Sequence, residues 1–313
     1  MERTTTESIL IFWRKFKKDR LALLGLSFIS LLISITMLGP VIRPDHSEDA
    51  NHQSVGLAKL PPFTWVVVHN DDTPCEMAQC TEEHHHRFFL LGSDRLGRDV
   101  LSRLMAGTQI SLLVGFIAVL LSLLVGIVIG LAAGYYKGSV DAMLTWFINV
   151  VWSIPSLLIV MAFILAFGTG FWKVFIAIGL TMWVEVARVV RGQVLSIREK
   201  EYIEAARSMG MSDFKILFRQ ILPNLWPAII VISSANFSSA ILIESGMSFL
   251  GLGVQIPTPS WGNMIRENYS LLPTNQAYLA LAPGVCIMLT VLALMYIGNG
   301  LRSAFDPKNE GNE

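Results

Sequence analysis

Histidine, carboxylate and cysteine side chains crowd one polar stretch of the chain: Cys75, Cys80, Glu82, Glu83 and His84-His85-His86. Imidazole and carboxylate together suit divalent transition metals. Three adjacent histidines cannot all aim at one ion from a regular helix, however, and their spacing matches no standard zinc pattern. The stretch reads as a solvated polar patch, and no metal ligand set is assigned. Cys75 and Cys80 can close a short disulfide ring on an oxidising face; the bonded and free states both fit the sequence. No H-E-x-x-H and no G-x-x-x-x-G-K-[ST] occurs, and Gly168-Thr169-Gly170 and Gly251-Leu252-Gly253 lack the rest of any nucleotide fingerprint. No catalytic residue and no bound cofactor are assigned.

The elements that carry these residues belong to a membrane. Of 313 residues 53% are hydrophobic and only 15% charged, too little polar material to cover a soluble core. Uncharged runs at 21–42, 110–136, 142–172, 225–243 and 277–300 each suffice to cross a hydrocarbon core, which takes about 20 apolar residues. A sixth run, 174–190, is interrupted by Glu185 and Arg188. The expected fold is all-α, a polytopic protein of six transmembrane helices. The first run ends in Gly39-Pro40-Val41-Ile42-Arg43 with no small-x-small cleavage site, so it is expected to remain as an anchor.

Orientation follows from Lys and Arg. An inside N-terminus puts sixteen basic residues on that side against eight outside, which sets both termini and the 188–223 loop in the cytoplasm. The expected organisation is a cytoplasmic, interfacial tail 1–20, a first transmembrane helix 21–42 and an extracytoplasmic loop 43–105. A five-helix core 106–302, including the cytoplasmic loop 191–223, and a cytoplasmic tail 303–313 follow. Within 43–105, the segment from Gly92 to Arg103 turns amphipathic and predicts a surface helix. The basic and bulky residues of 9–18 either lie among lipid headgroups or simply flank the first span. The zero net charge carries no information about partners, and no nucleic acid is expected.

Within the membrane, Gly126, Gly130 and Gly134 recur every fourth residue and offer a smooth face for close helix packing, with a hinge as the lesser alternative. Pro155 removes a backbone donor and predicts a kink in the third span; such kinks line a path or are merely tolerated. Glu185 and Arg188, three residues apart, are expected to pair on one helix face near the cytoplasmic boundary. Glu244 falls near the outer end of the fifth run, ~30 Å from the inner surface. An acid at that depth is a candidate for a path or gate, or else a hydrogen-bond acceptor toward a neighbouring helix or the following turn.

The densest local signal lies in the cytoplasmic loop. Residues 199–209 are mostly good helix formers, and Gly210 supplies the left-handed conformation that ends such a helix. Ser212 is placed to cap a second helix in which Phe214, Leu217, Phe218, Ile221 and Leu222 recur with helical spacing, and Pro223 is expected to stop it. Glu204 and Arg207 form an exposed polar edge; Ala205 and Ala206 are small enough for close contact with a partner.

Glu204-Ala205-Ala206, then Gly210, then Ile221-Leu222-Pro223 resembles the coupling loop of ABC importer permeases, whose signature reads EAA, glycine four residues on, then I-x-L-P; here the intervening residue is missing. Gly92-Ser93-Asp94-Arg95-Leu96-Gly97-Arg98-Asp99, Ala187-Arg188-Val189-Val190-Arg191-Gly192-Gln193, Ser248-Phe249-Leu250-Gly251-Leu252-Gly253, Pro259-Ser260-Trp261-Gly262 and Phe305-Asp306-Pro307 extend the resemblance. Together they are similar to the C-type permease of the dipeptide/oligopeptide/nickel group. The resemblance implies a non-catalytic, type I importer permease in the cytoplasmic membrane, in contact with lipid. It also implies a second homologous permease, two ABC ATPase subunits that use ATP and Mg, and an extracytoplasmic substrate-binding protein. Glu204, Ala205, Ala206, Arg207, Gly210, Ile221 and Pro223 would carry ATPase coupling, and peptides are the implied cargo, with nickel or other small solutes as the alternative. A metal-gated channel or membrane enzyme built on the histidine stretch is the reading from another class.

Overall fold

Asp19 ends one helix and starts the next. In the computed structural model, which describes residues 5–69 and 84–305, α1 (Thr5–Lys18) and α2 (Arg20–Ile42) meet there. The Asp19 carboxylate accepts from the Leu21 and Ala22 N–H groups and caps α2. Phe16 on α1 buries with Ala22 and Ala304, so the basic, aromatic tail is pinned to the far end of the chain. Cys75, Cys80, Glu82, Glu83 and the tail past Phe305 lie outside the described residues.

The segment between α2 and α3 contains a hairpin that its polar composition does not predict. Strands β1 (Thr64–His69) and β2 (His84–Phe89) pair antiparallel, with Thr64 opposite Phe89 and His69 opposite His84. The polar composition of the loop masks the β-branched run Val66-Val67-Val68, which has the strand preference that decides here. Val68, Phe89 and Leu57 are buried together beneath the hairpin.

No separate surface helix forms between Gly92 and Arg103. Gly92 and Gly97 turn the chain with positive φ, Asp99 accepts from the Ser102 N–H, and α3 runs unbroken from Val100 to Tyr135. Its 36 residues span about 54 Å, more than a bilayer core. Most charges of this segment face protein: Asp94, Arg98, Asp99 and Arg103 are buried, and Arg95 is exposed.

The expected third span is two helices. α4 (Ser139–Trp152) and α5 (Ser156–Phe167) meet at 83°, because Pro155 sits at the α5 N-cap and the Ser153–Pro155 break leaves the ladder interrupted. Next come α6 (Phe171–Ile197), α7 (Glu201–Ser208), α8 (Asp213–Ile216), α9 (Leu222–Phe249), α10 (Trp261–Asn268) and α11 (Tyr278–Phe305).

Pro223 does not stop a helix. A π-turn over Leu217–Ile221 joins α8 to α9, so Asp213–Phe249 is one continuous 37-residue helix. Pro223 falls in the first turn of α9, beside a π-turn whose widened spacing removes the need for its missing donor.

Among the described residues, α2, α3, the α8–α9 helix and α11 are long and apolar enough to cross a membrane, and the bent α4–α5 pair makes up to five. The expected six are therefore not matched one for one. The exception is α6, which has the length but carries Lys173, Glu185, Arg188 and Arg191. It lies along the α3 glycine face. A Cβ on Gly126 would stand 2.5 Å from the Val186 Cβ, one on Gly130 2.7 Å from the Ala187 carbonyl oxygen, and one on Gly134 2.6 Å from the Val194 Cβ. Contact this close needs small residues on one helix, since lipid offers no hydrophobic drive to hold two helices together.

Candidate functional site

The loop between α6 and α9 is a rigid knob on a buried base. Ile203 from α7, Ile216 from α8, and Leu217 and Ile221 from the π-turn pack with Tyr135, Val190, Val194, Ile197 and Leu225 of the long helices. Two polar ties reinforce this base. Tyr135 Oη donates to Asp213 Oδ1 at 2.6 Å, and Arg198 Nη1 donates to the Gly134 and Tyr135 carbonyls at 2.8 and 3.1 Å. Ser212 occupies the N-cap position of α8 but its hydroxyl makes no cap bond. The Tyr135 bond to Asp213 anchors that turn in its place.

Gly210 closes α7 in the expected way. Its φ is +79°, its N–H donates to the Arg207 carbonyl, and the Met211 N–H donates to the Ala206 carbonyl. These paired bonds are the Schellman ending, which needs a left-handed residue at this position. No atom outside the local backbone lies within 4 Å of where a Gly210 Cβ would stand, so conformation alone demands glycine.

What the knob offers outward is part charged and part apolar. Glu204, Ala205 and Arg207 are exposed on α7. Beside them stand Met209, 77% exposed, Phe214, 68%, and Phe218, 48%, with the two phenylalanine rings 4.4 Å apart. Large side chains left bare on short, well-anchored helices mark a binding surface. Two of the sequence-derived contact residues face the other way: Ala206 is 3% exposed and Ile221 fully buried. Ala206 lies under the exposed edge of its own helix, and Ile221 packs into the base, so both support the surface from below. Pro223 is exposed but sits in the α9 first turn. Tyr135, Asp213 and Met209 are the residues that sequence reading missed; a tyrosine ending a span and an acid opening a helix were the available signals.

The acids Glu185 and Glu244 also differ from expectation. Glu185 and Arg188 do not pair. Arg188 Nη2 donates to Asn149 Oδ1 at 2.8 Å, and its guanidinium lies 3.9 Å from the Trp152 ring centroid, a partnership that α4 supplies and sequence neighbours cannot. Glu185 is also the fifteenth residue of α6 and lies mid-helix, because α6 continues to Ile197. Glu244 is fully buried; Ser248 Oγ donates to its Oε1 at 2.6 Å and in turn accepts from the Val254 N–H. Of its two expected roles, the bond toward the following turn is the one realised, because Ser248 links it to the segment after α9. Pro155 is exposed at the α4–α5 break.

Before and at the start of α3, Asp94, Arg98, Arg103 and Glu267 form an ion-pair network that Asn51 joins through Arg98 Nη1 at 3.1 Å. Arg98 Nε and Arg103 Nη1 donate to Asp94 at 2.7 and 2.8 Å, and Arg98 Nη2 and Arg103 Nη1 donate to Glu267 at 2.6 and 2.7 Å. Two acids and two arginines balance, which makes their burial tolerable. The network ties the start of α3 to α10, and Trp261 Nε1 adds a bond to the Leu104 carbonyl.

Residues 126–311 match the profile of the binding-protein-dependent transport system inner membrane component family, and residues 10–62 match that of the N-terminal TM domain of oligopeptide transport permease C. The chain is 36% identical to the dipeptide transport system permease protein DppC of Bacillus subtilis (strain 168), over 95% of this chain and 84% of that one. It is 35% identical to the glutathione transport system permease protein GsiD of Pectobacterium atrosepticum, over 95% and 90%. The di/tripeptide transport system permease protein DppC of Pseudomonas aeruginosa is 34% identical over 95% and 91%. Among solved structures, inward-facing MetNI methionine ABC transporter superposes with a TM-score of 0.55 at 16% identity, over 65% of this chain and 97% of that one. At that identity the likeness concerns the fold.

Proposed function

We propose, from the premise that this chain belongs to the binding-protein-dependent transport system inner membrane component family, that it forms half of a channel for small peptides. It is a multi-pass membrane permease subunit of an ABC importer. Its relatives are named for dipeptides, di/tripeptides and glutathione, itself a three-residue peptide. A second homologous permease would complete the channel, an extracytoplasmic binding protein would deliver cargo, and two ABC ATPases would supply ATP and Mg chemistry. Both termini and the α6–α9 loop would face the cytoplasm.

The observation that carries this reading is the exposed face of α7 and α8 on its buried base. Glu204, Ala205 and Arg207 would meet the ATPase groove, with Met209, Phe214 and Phe218 giving the apolar area, and Gly210 setting the angle between the helices. Ala206, Ile221 and Pro223 would act beneath, as support. Closing of the ATPase dimer on ATP would move paired knobs together and rock the spans. The knob must therefore contact the ATPases differently in the two states, since only differential contact shifts such an equilibrium.

The test is Glu204→Lys and Gly210→Val in the reconstituted importer, followed by peptide uptake and ATP hydrolysis. The variants should insert and assemble while uptake per ATP falls at least tenfold. Wild-type uptake in both would refute the coupling role.

A further inference from the structure

The outward face of α6 is polar where a lipid-facing helix would be apolar. Glu185, Arg188, Val189, Gly192 and Gln193 share one face by helical spacing, and each is exposed or half-buried. Arg188 is committed to Asn149 and Trp152, whereas Glu185 has no hydrogen-bond or ion-pair partner among the described residues. A carboxylate at mid-helix is costly against hydrocarbon, so this face meets water or protein. One and two turns further on, Val189 and Gln193 line a cavity of about 570 Å³ between α6, α9 and α11, whose polar lining includes Asn224, Asn299 and Arg302.

Resting on the import reading above, we propose that Glu185, one helical turn before the Val189 wall of this cavity, is a transit site for the protonated amine of the cargo. An unpaired carboxylate accepts charge-assisted hydrogen bonds from an N-terminal ammonium. Below it, Gln193, Asn224 and Asn299 offer amide partners to peptide groups, and the Arg302 guanidinium suits a carboxylate. Spreading polar partners along the cavity keeps any one site weak enough for release, as conduction requires.

The test uses the complete importer, with its second permease, ATPases and binding protein, in proteoliposomes supplied with radiolabelled dialanine. Glu185→Gln should lower dialanine uptake per ATP roughly tenfold, the effect of losing ~1.4 kcal/mol, while assembly and ATP hydrolysis stay at the wild-type level. Glu185→Asp, which keeps the charge, should recover uptake to within about twofold of wild type. Wild-type uptake by Glu185→Gln overturns the site. So does loss of assembly or hydrolysis along with uptake, which would make Glu185 a subunit contact, and so does failure of the aspartate variant. Absence of dialanine uptake by the wild type would instead defeat the peptide-import reading, and the transit site with it.

Discussion

The Tyr135 hydroxyl donates a 2.6 Å hydrogen bond to Asp213, joining the last residue of α3 to the first residue of α8 across 78 positions of sequence. The glycine-packed α3–α6 pair is thereby fastened to the α7–α8 knob. Tyr135→Phe keeps the ring in its buried cluster and removes the hydroxyl's contacts, chiefly the bond to Asp213 and with it that to Arg207. Because Asp213 is exposed, the loss should be modest, about 1 kcal/mol. Faster amide hydrogen exchange over 201–216, with unchanged exchange in α3, is the expected outcome.

Gly130 should be far less tolerant. Any side chain there meets the Ala187 carbonyl and the Val190 Cβ at 2.7 Å, and backbone cannot yield as a flexible side-chain end can. Gly130→Leu is expected to destabilise the detergent-solubilised protein by about 1–3 kcal/mol through forced separation of α3 and α6. Thermal unfolding measures it, and a wild-type midpoint would show that the two helices can part freely.

How far the sequence reached depends on where each residue's partners lie. Gly210 and its helix were legible because a Schellman ending is made within six residues. Gly126, Gly130 and Gly134 announced a close contact without naming α6. Arg188 misled, because Asn149 and Trp152 outcompete its neighbour Glu185 from a different helix. The stretch from Gly92 to Arg103 misled for the same reason. Its charges resemble a solvated face until Glu267, more than 160 positions away, pairs with Arg98 and Arg103. Pro223 was read as a stop because a π-turn that absorbs it has no sequence signature comparable to a glycine cap.

The junction after α2 should give the protein an acid-sensitive stability. Burial pushes the Asp45 carboxyl up, but hydrogen bonds from Ser47 and the His52 backbone outweigh it and hold the group below its usual value. A depressed folded-state pKa contributes stability above the unfolded pKa and loses it as pH falls through the folded one. Asp99 nearby has the opposite sign, with burial raising it despite two bonds from Ser102. Asp45→Asn should therefore lower the unfolding temperature at neutral pH, and its gap from wild type should close on acidification below the usual Asp range. A gap independent of pH would mean the Asp45 charge contributes nothing.

The network of Asp94, Arg98, Arg103 and Glu267 separates two kinds of loss. Glu267→Gln leaves Arg98 and Arg103, both almost fully buried, sharing the single charge of Asp94. Uncompensated buried charge typically costs about 3–5 kcal/mol, so this variant should unfold at a much lower temperature. Replacing Arg103 and Glu267 together by methionine removes one charge of each sign and leaves Arg98 still paired with Asp94. A balanced pair removed with apolar replacement is often neutral, so the double variant should be more stable than Glu267→Gln despite carrying more changes. A double-mutant cycle on thermal unfolding reads the coupling, and additive losses would mean that Arg103 and Glu267 act independently. If stability recovers while peptide uptake does not, the network serves to hold the start of α3 and α10 in one register during transport, a role that charge pairing supplies and methionine packing lacks.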